Sequence, residues 1–388
     1  MKFFRLIFRN ALRHKLRTSL TVLGIAVAIL AFALLRMVVG AFYAGLDASA
    51  ADRLITRHAV SFVFSLPRTY MDKIRNVPGV ADVTYAVWFQ GIYKDPNKFE
   101  NFFPRMAINS ENFFKIYPEF QIPPEQFEAY RKERNAVVIG QETARKHNLK
   151  LGDTIPIKGD IYPGDWQFVV RAIYKGRDRT SDQTIMYFDW NYLNEYLQKT
   201  LPQRAGRIGW FVVKVQSMNQ SAQVSERIDA LFKNSPAETK TETEKAFNQS
   251  FISMYSAILT AMNFLSFVIV GIILLVLANT IAMTARERTT EYAVLKTLGF
   301  TGAHLSGLIS GEALLISLLG GGIGLALSIP AANGFQNAFP TIFPIMPDPT
   351  WTLIWGAVAA LCVGLLAALF PMIRVSKMRI VDGLRHID

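Results

Sequence analysis

From Phe251 to Ala285 the chain runs without a single charged side chain, and no other feature restricts its fold as much. A charge-free stretch of about 18 residues or more is long enough to cross the ~30 Å hydrocarbon core as a helix. Three further runs come close to the same standard. They are Thr18 to Leu35, extending past Arg36 to about Phe42; Leu305 to Ile329, interrupted only by Glu312; and Trp351 to Ile373. The sequence therefore predicts an integral membrane protein with four spans. The first run begins like a secretory signal but exceeds the ~7–15 apolar residues of a signal core, so it is expected to stay as an anchor.

Basic flanks resist translocation, so the placement of Lys and Arg predicts orientation. Residues 1–17 hold Lys2, Arg5, Arg9, Arg13, Lys15 and Arg17 and no acid. Together with segments 286–304 and 374–388 they carry +9 of the chain's formal +12, while Ala331 to Thr350 has no Lys or Arg. Both termini and the stretch 286–304 are expected in the cytoplasm, and 43–250 and 331–350 outside it. The high pI is then a topology signal. Residues 43–250, with 28 basic and 24 acidic side chains, offer no basic domain for nucleic acid. Cys362, the single cysteine, excludes an internal disulfide.

The segment between the first two runs reads as mixed α/β. Strand-like stretches occur at 80–93, 135–140, 153–157, 166–174, 183–188 and 209–216, rich in β-branched and aromatic residues. Helices fit at about Leu66 to Asn76, Pro124 to Arg131, Gln141 to Asn148, Asp189 to Lys199 and Ser221 to Phe232. A further helix is expected from Ser235-Pro236 onward. At ~1.5 Å per residue the second apolar run exceeds the bilayer core, so one continuous helix is expected from the outer domain, through the membrane, into the cytoplasm.

Between the second and third runs lies the charged stretch "TARERTTEYAVLKTLGFTGAHL" (284–305). As a helix over 286–298 it places Val294, Leu295 and Leu298 on one face and Arg288 and Glu291 at i,i+3 on a polar side. Gly299 suits the position after the helix end, and Thr301 can cap the next helix. This stretch reads either as a tight turn of a helical hairpin or as a peg for a groove on a cytoplasmic partner.

At this point a resemblance becomes specific. "RERTTEYAVLKTLGFTGAHLSGLISGEALLISLLGGGIGLALS" (286–328) resembles the signature segment of the FtsX/MacB/LolC superfamily of ABC-transporter permeases. "FPMIRVSKMRIVDGLRHI" (370–387) is similar to that family's last span and tail, and "NALRHKLRTSLTVLGIAVAILAF" (10–32) to its first span. "IRNVPGVADV" (74–83) and "VVIGQETARKHNLKLGDTIPI" (137–157) look like motifs of its periplasmic domain.

The resemblance implies a membrane α-helical fold with four transmembrane helices and a large extracytoplasmic mixed α/β, MacB-like domain between spans 1 and 2. The implied boundaries are 1–17 basic helix, 18–42 first span, 43–250 periplasmic domain and 251–285 stalk and second span. They continue with 286–304 coupling helix, 305–330 third span, 331–350 loop, 351–373 fourth span and 374–388 tail. A permease dimer in a bacterial inner membrane is implied, driven by a separate cytoplasmic ABC ATPase that binds the ATP, with no cofactor on this chain. A periplasmic adaptor and an outer-membrane channel fit the same scheme. The implied ATPase-docking residues are Arg286, Glu287, Arg288, Glu291, Leu295, Lys296, Leu298 and Gly299. Family members with a fused N-terminal ATPase differ, since Met1 lies only a few turns before the first span.

Two charged residues fall inside apolar runs. Arg36 is expected to snorkel to the headgroups or to pair with Glu312, snorkelling being the cheaper. Glu312 is costly at that depth and is expected to face the bundle, water or a second copy, or to be protonated, with a role in coupling. Gly320, Gly321, Gly322 and Gly324 permit close helix approach or a bend. Catalytic readings fail: the sequence has no G-x-x-x-x-G-K-[ST], H-E-x-x-H or C-x-x-C, and "YKGRDRTSDQ" (174–183) has no nearby histidine. The alternative to a permease is a membrane-anchored receptor or scaffold whose outer domain binds a ligand without energy coupling.

Overall fold

A computed structural model describes residues 2–11, 13–47, 50–98, 101–178, 181–338, 343 and 347–381. Parts of the loop 331–350 and the Gly383-Leu384-Arg385 close of the tail lie outside the described residues. The chain divides into two units. One comprises 1–40, 256–337 and 347–388, the other 41–255 and 338–346.

The chain opens with α1 (Lys2–Ala11) and α2 (Lys15–Asp47). The segment that follows forms β1 (Arg53–His58), β2 (Leu66–Pro67), α3 (Tyr70–Arg75), β3 (Val80–Trp88), β4 (Arg105–Ile108), α4 (Phe113–Ile116) and β5 (Phe120–Gln121). It continues through α5 (Pro124–Lys132), β6 (Ala136–Gly140), α6 (Gln141–His147), β7 (Thr154–Gly159), β8 (Gly164–Gly176) and β9 (Met186–Asp189). It closes with α7 (Trp190–Thr200), β10 (Arg207–Ile208), β11 (Trp210–Val215), α8 (Ser221–Leu231), β12 (Thr239–Thr243) and α9 (Glu244–Met254).

Ten of these strands make one sheet in the order β12-β1-β11-β3-β4-β9-β6-β8-β5, with β7 also on β8. Pairs β4/β9 and β6/β8 are parallel and the others antiparallel. Because side chains alternate along a strand, the sheet buries both faces. Val137 and Ile139 join a core covered by α3, α6, α7 and α8, while Ala136 and Val138 join one covered by α4, α5 and α9. The result is a three-layer α/β/α unit.

The structure corrects three readings here. No helix begins at Leu66: Leu66 is fully buried in a short pairing with Ile208, and the helix starts only at Tyr70. No helix begins at Pro236 either. Thr239 and Thr241 enter the sheet beside β1, with both hydroxyls bonded to Asp229 at 2.8 Å, and the helix starts at Glu244, where Thr243 accepts from the Ala246 N–H. The expected continuous helix is broken. Tyr255, at φ −98° and ψ 7°, ends α9, and α10 (Ser256–Glu287) starts after it.

α10 is followed by α11 (Thr289–Thr297), α12 (Gly302–Ala338) and α13 (Pro349–Lys377). Among the described residues, α2, α10, α12 and α13 are long and apolar enough to cross a membrane. α12 outlasts the expected third run, continuing through Pro330 to Ala338, so the first part of the expected loop is helical. α13 starts on Asp348, whose carboxylate accepts from the Thr350 N–H at 2.9 Å.

Small residues set how closely these helices pack. A Cβ on Gly324 would sit 2.5 Å from the Ala26 carbonyl oxygen, and one on Gly320 2.8 Å from that of Val22. A Cβ on Gly321 would sit 2.6 Å from the Ala360 Cβ of α13, whereas Gly322 faces open space. Close approach therefore accounts for three of the four glycines. Arg36 does not pair with Glu312, which Arg288 engages: its guanidinium donates to the Asn263 side chain of α10 at 2.9 Å.

In the α/β unit, α6 ends on His147, followed by Asn148 in the left-handed region (φ 52°). Burial holds the His147 imidazole down at about 4, helped by Lys146, Lys94 and Arg105. A base whose folded pKa is depressed costs stability as pH falls from its unfolded value near 6.5 toward about 4, because only the unfolded chain takes up the proton. Thermal melts at pH 7.5 and 4.5 should therefore differ less for His147→Gln than for the wild type. An equal difference in both proteins would refute this.

Candidate functional site

The corner between α10 and α12 is built around one buried arginine. α10 ends at Glu287, Arg288 leaves helical geometry (φ −102°, ψ 15°), and α11 starts at Thr289. The Arg288 side chain turns inward and is only 4% exposed. Its Nη1 donates to Glu312 Oε2 at 3.3 Å and its Nη2 to the Asn10 carbonyl at 3.2 Å. A carboxylate inside an apolar helix needs a countercharge, and Arg288 supplies it from the preceding corner.

Neighbouring charges tie the corner to the rest of its bundle. Arg17 grips Glu287 with two hydrogen bonds, 2.8 and 2.9 Å, and Arg13 pairs with Glu291. Lys296 donates to the carbonyls of Ser376 (3.0 Å) and Met378 (2.6 Å), placing a cation on the C-terminal end of α13. Tyr292 is buried beneath, its phenol pushed up to about 12 by that burial and by Glu312. α1 lies over the start of α12, with Ile7 packed on Gly311. α11 closes with Gly299 at φ +92°; the Gly299 N–H bonds Lys296 O and the Phe300 N–H bonds Leu295 O, which satisfies two of the last turn's free carbonyls.

The eight residues singled out from the sequence separate into distinct roles. Arg288 is buried, Glu287 and Glu291 hold arginines of the N-terminal segment, and Lys296 caps α13. Leu295 is half-buried against the bundle core, while Val294 and Leu298 are exposed at 45% and 72%. Arg286 stands apart, in a groove beside α13. The Arg288–Glu312 pair was not read from the sequence, although a lone carboxylate after a lone charged corner was the signal for it.

The α/β unit holds a second constellation that sequence reasoning missed. Arg53, at the start of β1, is buried, and its Nη1 and Nη2 fork onto Glu119 at 3.1 and 2.6 Å while its Nε donates to Glu244 at 2.8 Å. The Tyr117 ring lies 4.2 Å from the guanidinium carbon, and the Tyr117 hydroxyl donates to Glu244 at 3.2 Å. Burial pulls the Arg53 pKa down, but these two carboxylates outweigh it and hold the guanidinium above its ordinary value. The cluster edges a cavity of about 660 Å³ with an aromatic floor that includes Phe113, Tyr187, Trp210 and Phe247. Glu244 is the first residue of α9, so the cluster joins the strand that follows the first span to the helix that precedes the second.

Two family models match the chain. Residues 18–231 match the MacB-like periplasmic core domain, and residues 263–380 match the FtsX-like permease C-terminal region. The chain is an ABC transporter permease of the FtsX/MacB type. The permease is 26% identical over 330 residues to an uncharacterized ABC transporter permease of Methanocaldococcus jannaschii, across 80% of this chain and 77% of that one. It is also 26% identical over 200 residues to an uncharacterized ABC transporter permease protein of Mycobacterium tuberculosis, covering 52% of this chain and 22% of that protein.

Similar solved structures include the periplasmic region of MacB from Actinobacillus actinomycetemcomitans, with TM-score 0.38, 12% identity, and 53% and 95% of the two chains covered. Another is the extracellular domain of the noncanonic ABC-type transporter YknZ from Gram-positive bacteria, with TM-score 0.36, 14% identity, and 49% and 98% covered. The permease is a multi-pass membrane protein whose α/β domain lies between the first and second spans.

Proposed function

We propose that this permease transmits ATP-driven conformational change from a cytoplasmic ATPase to its interspan domain, and so exports or extracts an envelope substrate. Lipoprotein, lipid, peptide and amphiphilic small molecule are the substrate classes this mode of action serves. The chain works as a dimer, a homodimer by preference, in the inner membrane of a bacterium. Both termini and α11 are cytoplasmic, and ATP is bound by the partner, which works with a periplasmic adaptor and an outer-membrane channel where the envelope has them.

The observation that carries this reading is the construction of the corner. A turn that only reverses the chain needs no buried arginine, no three ion pairs and no cap on a neighbouring helix. A part that must pass force does need them, and it needs exposed apolar groups at its tip, which Val294 and Leu298 provide. The basic flanks of the two termini support a cytoplasmic placement.

The test is mild extraction of the tagged permease followed by mass spectrometry of stoichiometric partners. An ATPase bearing a G-x-x-x-x-G-K-[ST] loop should copurify with the wild type and fall at least tenfold for Leu298→Asp, because a carboxylate would be buried at the contact. Undiminished recovery from Leu298→Asp and Val294→Asp would remove α11 from the docking surface. No ATPase from wild type would favour the receptor reading.

A further inference from the structure

Where the last turn of α10 lies beside the last turns of α13, a groove of about 450 Å³ opens between the two helices. Arg286 and Arg374 both line it, one from each helix, and Ala285, Phe370 and Met378 supply apolar walls. Both arginines are exposed, and among the described residues neither has a carboxylate partner. Other cations of the corner are engaged: Arg13, Arg17 and Arg288 with carboxylates, Lys296 with carbonyls. Exposed apolar side chains follow within two turns on each helix, Met283 on α10 and Leu369 and Ile373 on α13.

We propose that this groove binds the phosphate headgroup of an anionic glycerophospholipid, with one guanidinium from each helix on the phosphate and the acyl chains along the apolar helix faces. The planar guanidinium fork matches phosphate oxygens, and basic pockets between spanning helices suit anionic headgroups. A free phosphate ion would use the charge but leave Phe370 and its neighbours uncovered; a lipid uses both. Such a lipid would bridge the ends of α10 and α13 at the point where α11 begins. It also takes Arg286 out of the ATPase-docking set, since Val294 and Glu291 line a different groove.

The purified permease in neutral detergent, titrated with phosphatidylglycerol and separately with phosphatidylcholine and inorganic phosphate, tests this by native mass spectrometry. Phosphatidylglycerol should be retained in preference to phosphatidylcholine. Arg286→Gln or Arg374→Gln should weaken it roughly fivefold each and the double variant about thirtyfold, at about 1 kcal/mol per cation. Arg9→Gln, an exposed cation outside the groove, should bind as wild type. An equal loss in Arg9→Gln would mean diffuse attraction, and competition by inorganic phosphate at the lipid's own affinity would mean an ion site; either overturns the proposal. So would unchanged lipid retention in the double variant, or an ATPase lost from Arg286→Gln with lipid retention intact.

Discussion

Replacing Arg53 by alanine should lower the unfolding free energy of the interspan domain by about 3–5 kcal/mol, the range for a buried ion pair broken from one side. The loss comes less from attraction forgone than from what remains. Glu119 and Glu244 would face each other's neighbourhood without a cation, and the Tyr117 ring would lose its stacked guanidinium. Arg53→Lys separates charge from geometry, because an ammonium cannot fork onto Glu119 while also meeting Glu244; it should recover part of the loss. Chemical denaturation followed by tryptophan fluorescence reads both variants. A midpoint for Arg53→Ala within error of wild type would show the cluster to be solvated and without weight in the fold. Because Glu244 opens α9, the same variant should also loosen α9 from β1, seen as faster amide exchange over 244–254.

The second large effect is expected at the Arg288–Glu312 pair. Among the described residues, Glu312→Ala leaves a guanidinium that is 4% exposed with the Asn10 carbonyl, the Tyr292 hydroxyl and a 4.0 Å approach to Glu291. The corner should then reorganise, and, on the force-transmitting role proposed above, ATP hydrolysis by the partner should continue with little transport. Arg288→Ala strands the carboxylate instead and should do the same. Removing both should cost less than the sum, with an interaction energy of about 1–3 kcal/mol in thermal stability measured on the purified permease. Additive losses would show that the two side chains act separately, and unchanged transport in Glu312→Ala would end the coupling role.

Periodicity and charge made much of this protein legible. The four spans follow from length and apolarity alone, because lipid admits only segments whose backbone is satisfied internally. Strands such as Ala136–Gly140 and helices such as Gln141–His147 show in the sequence because their residues agree with their local conformation. β1, β4 and β12 were not legible. Thr239–Thr243, with Thr-Lys-Thr-Glu-Thr, carries no hydrophobic alternation; it is a strand because β1 offers it an edge and Asp229 takes its hydroxyls. Tyr255 likewise carries no breaker residue, yet the helix ends there.

The corner shows the same division. Its existence, its glycine stop and its charge were fixed by residues close together in the chain, since capping and amphipathicity are local. Which of those charges face outward was settled by partners far away in sequence. Arg288 is buried because Glu312 stands behind it, and Lys296 is spent because the end of α13 presents free carbonyls. Arg286, with no carboxylate partner among the described residues, keeps its charge open to a groove. Side-chain direction depends on which element arrives alongside, and only packing in three dimensions decides that.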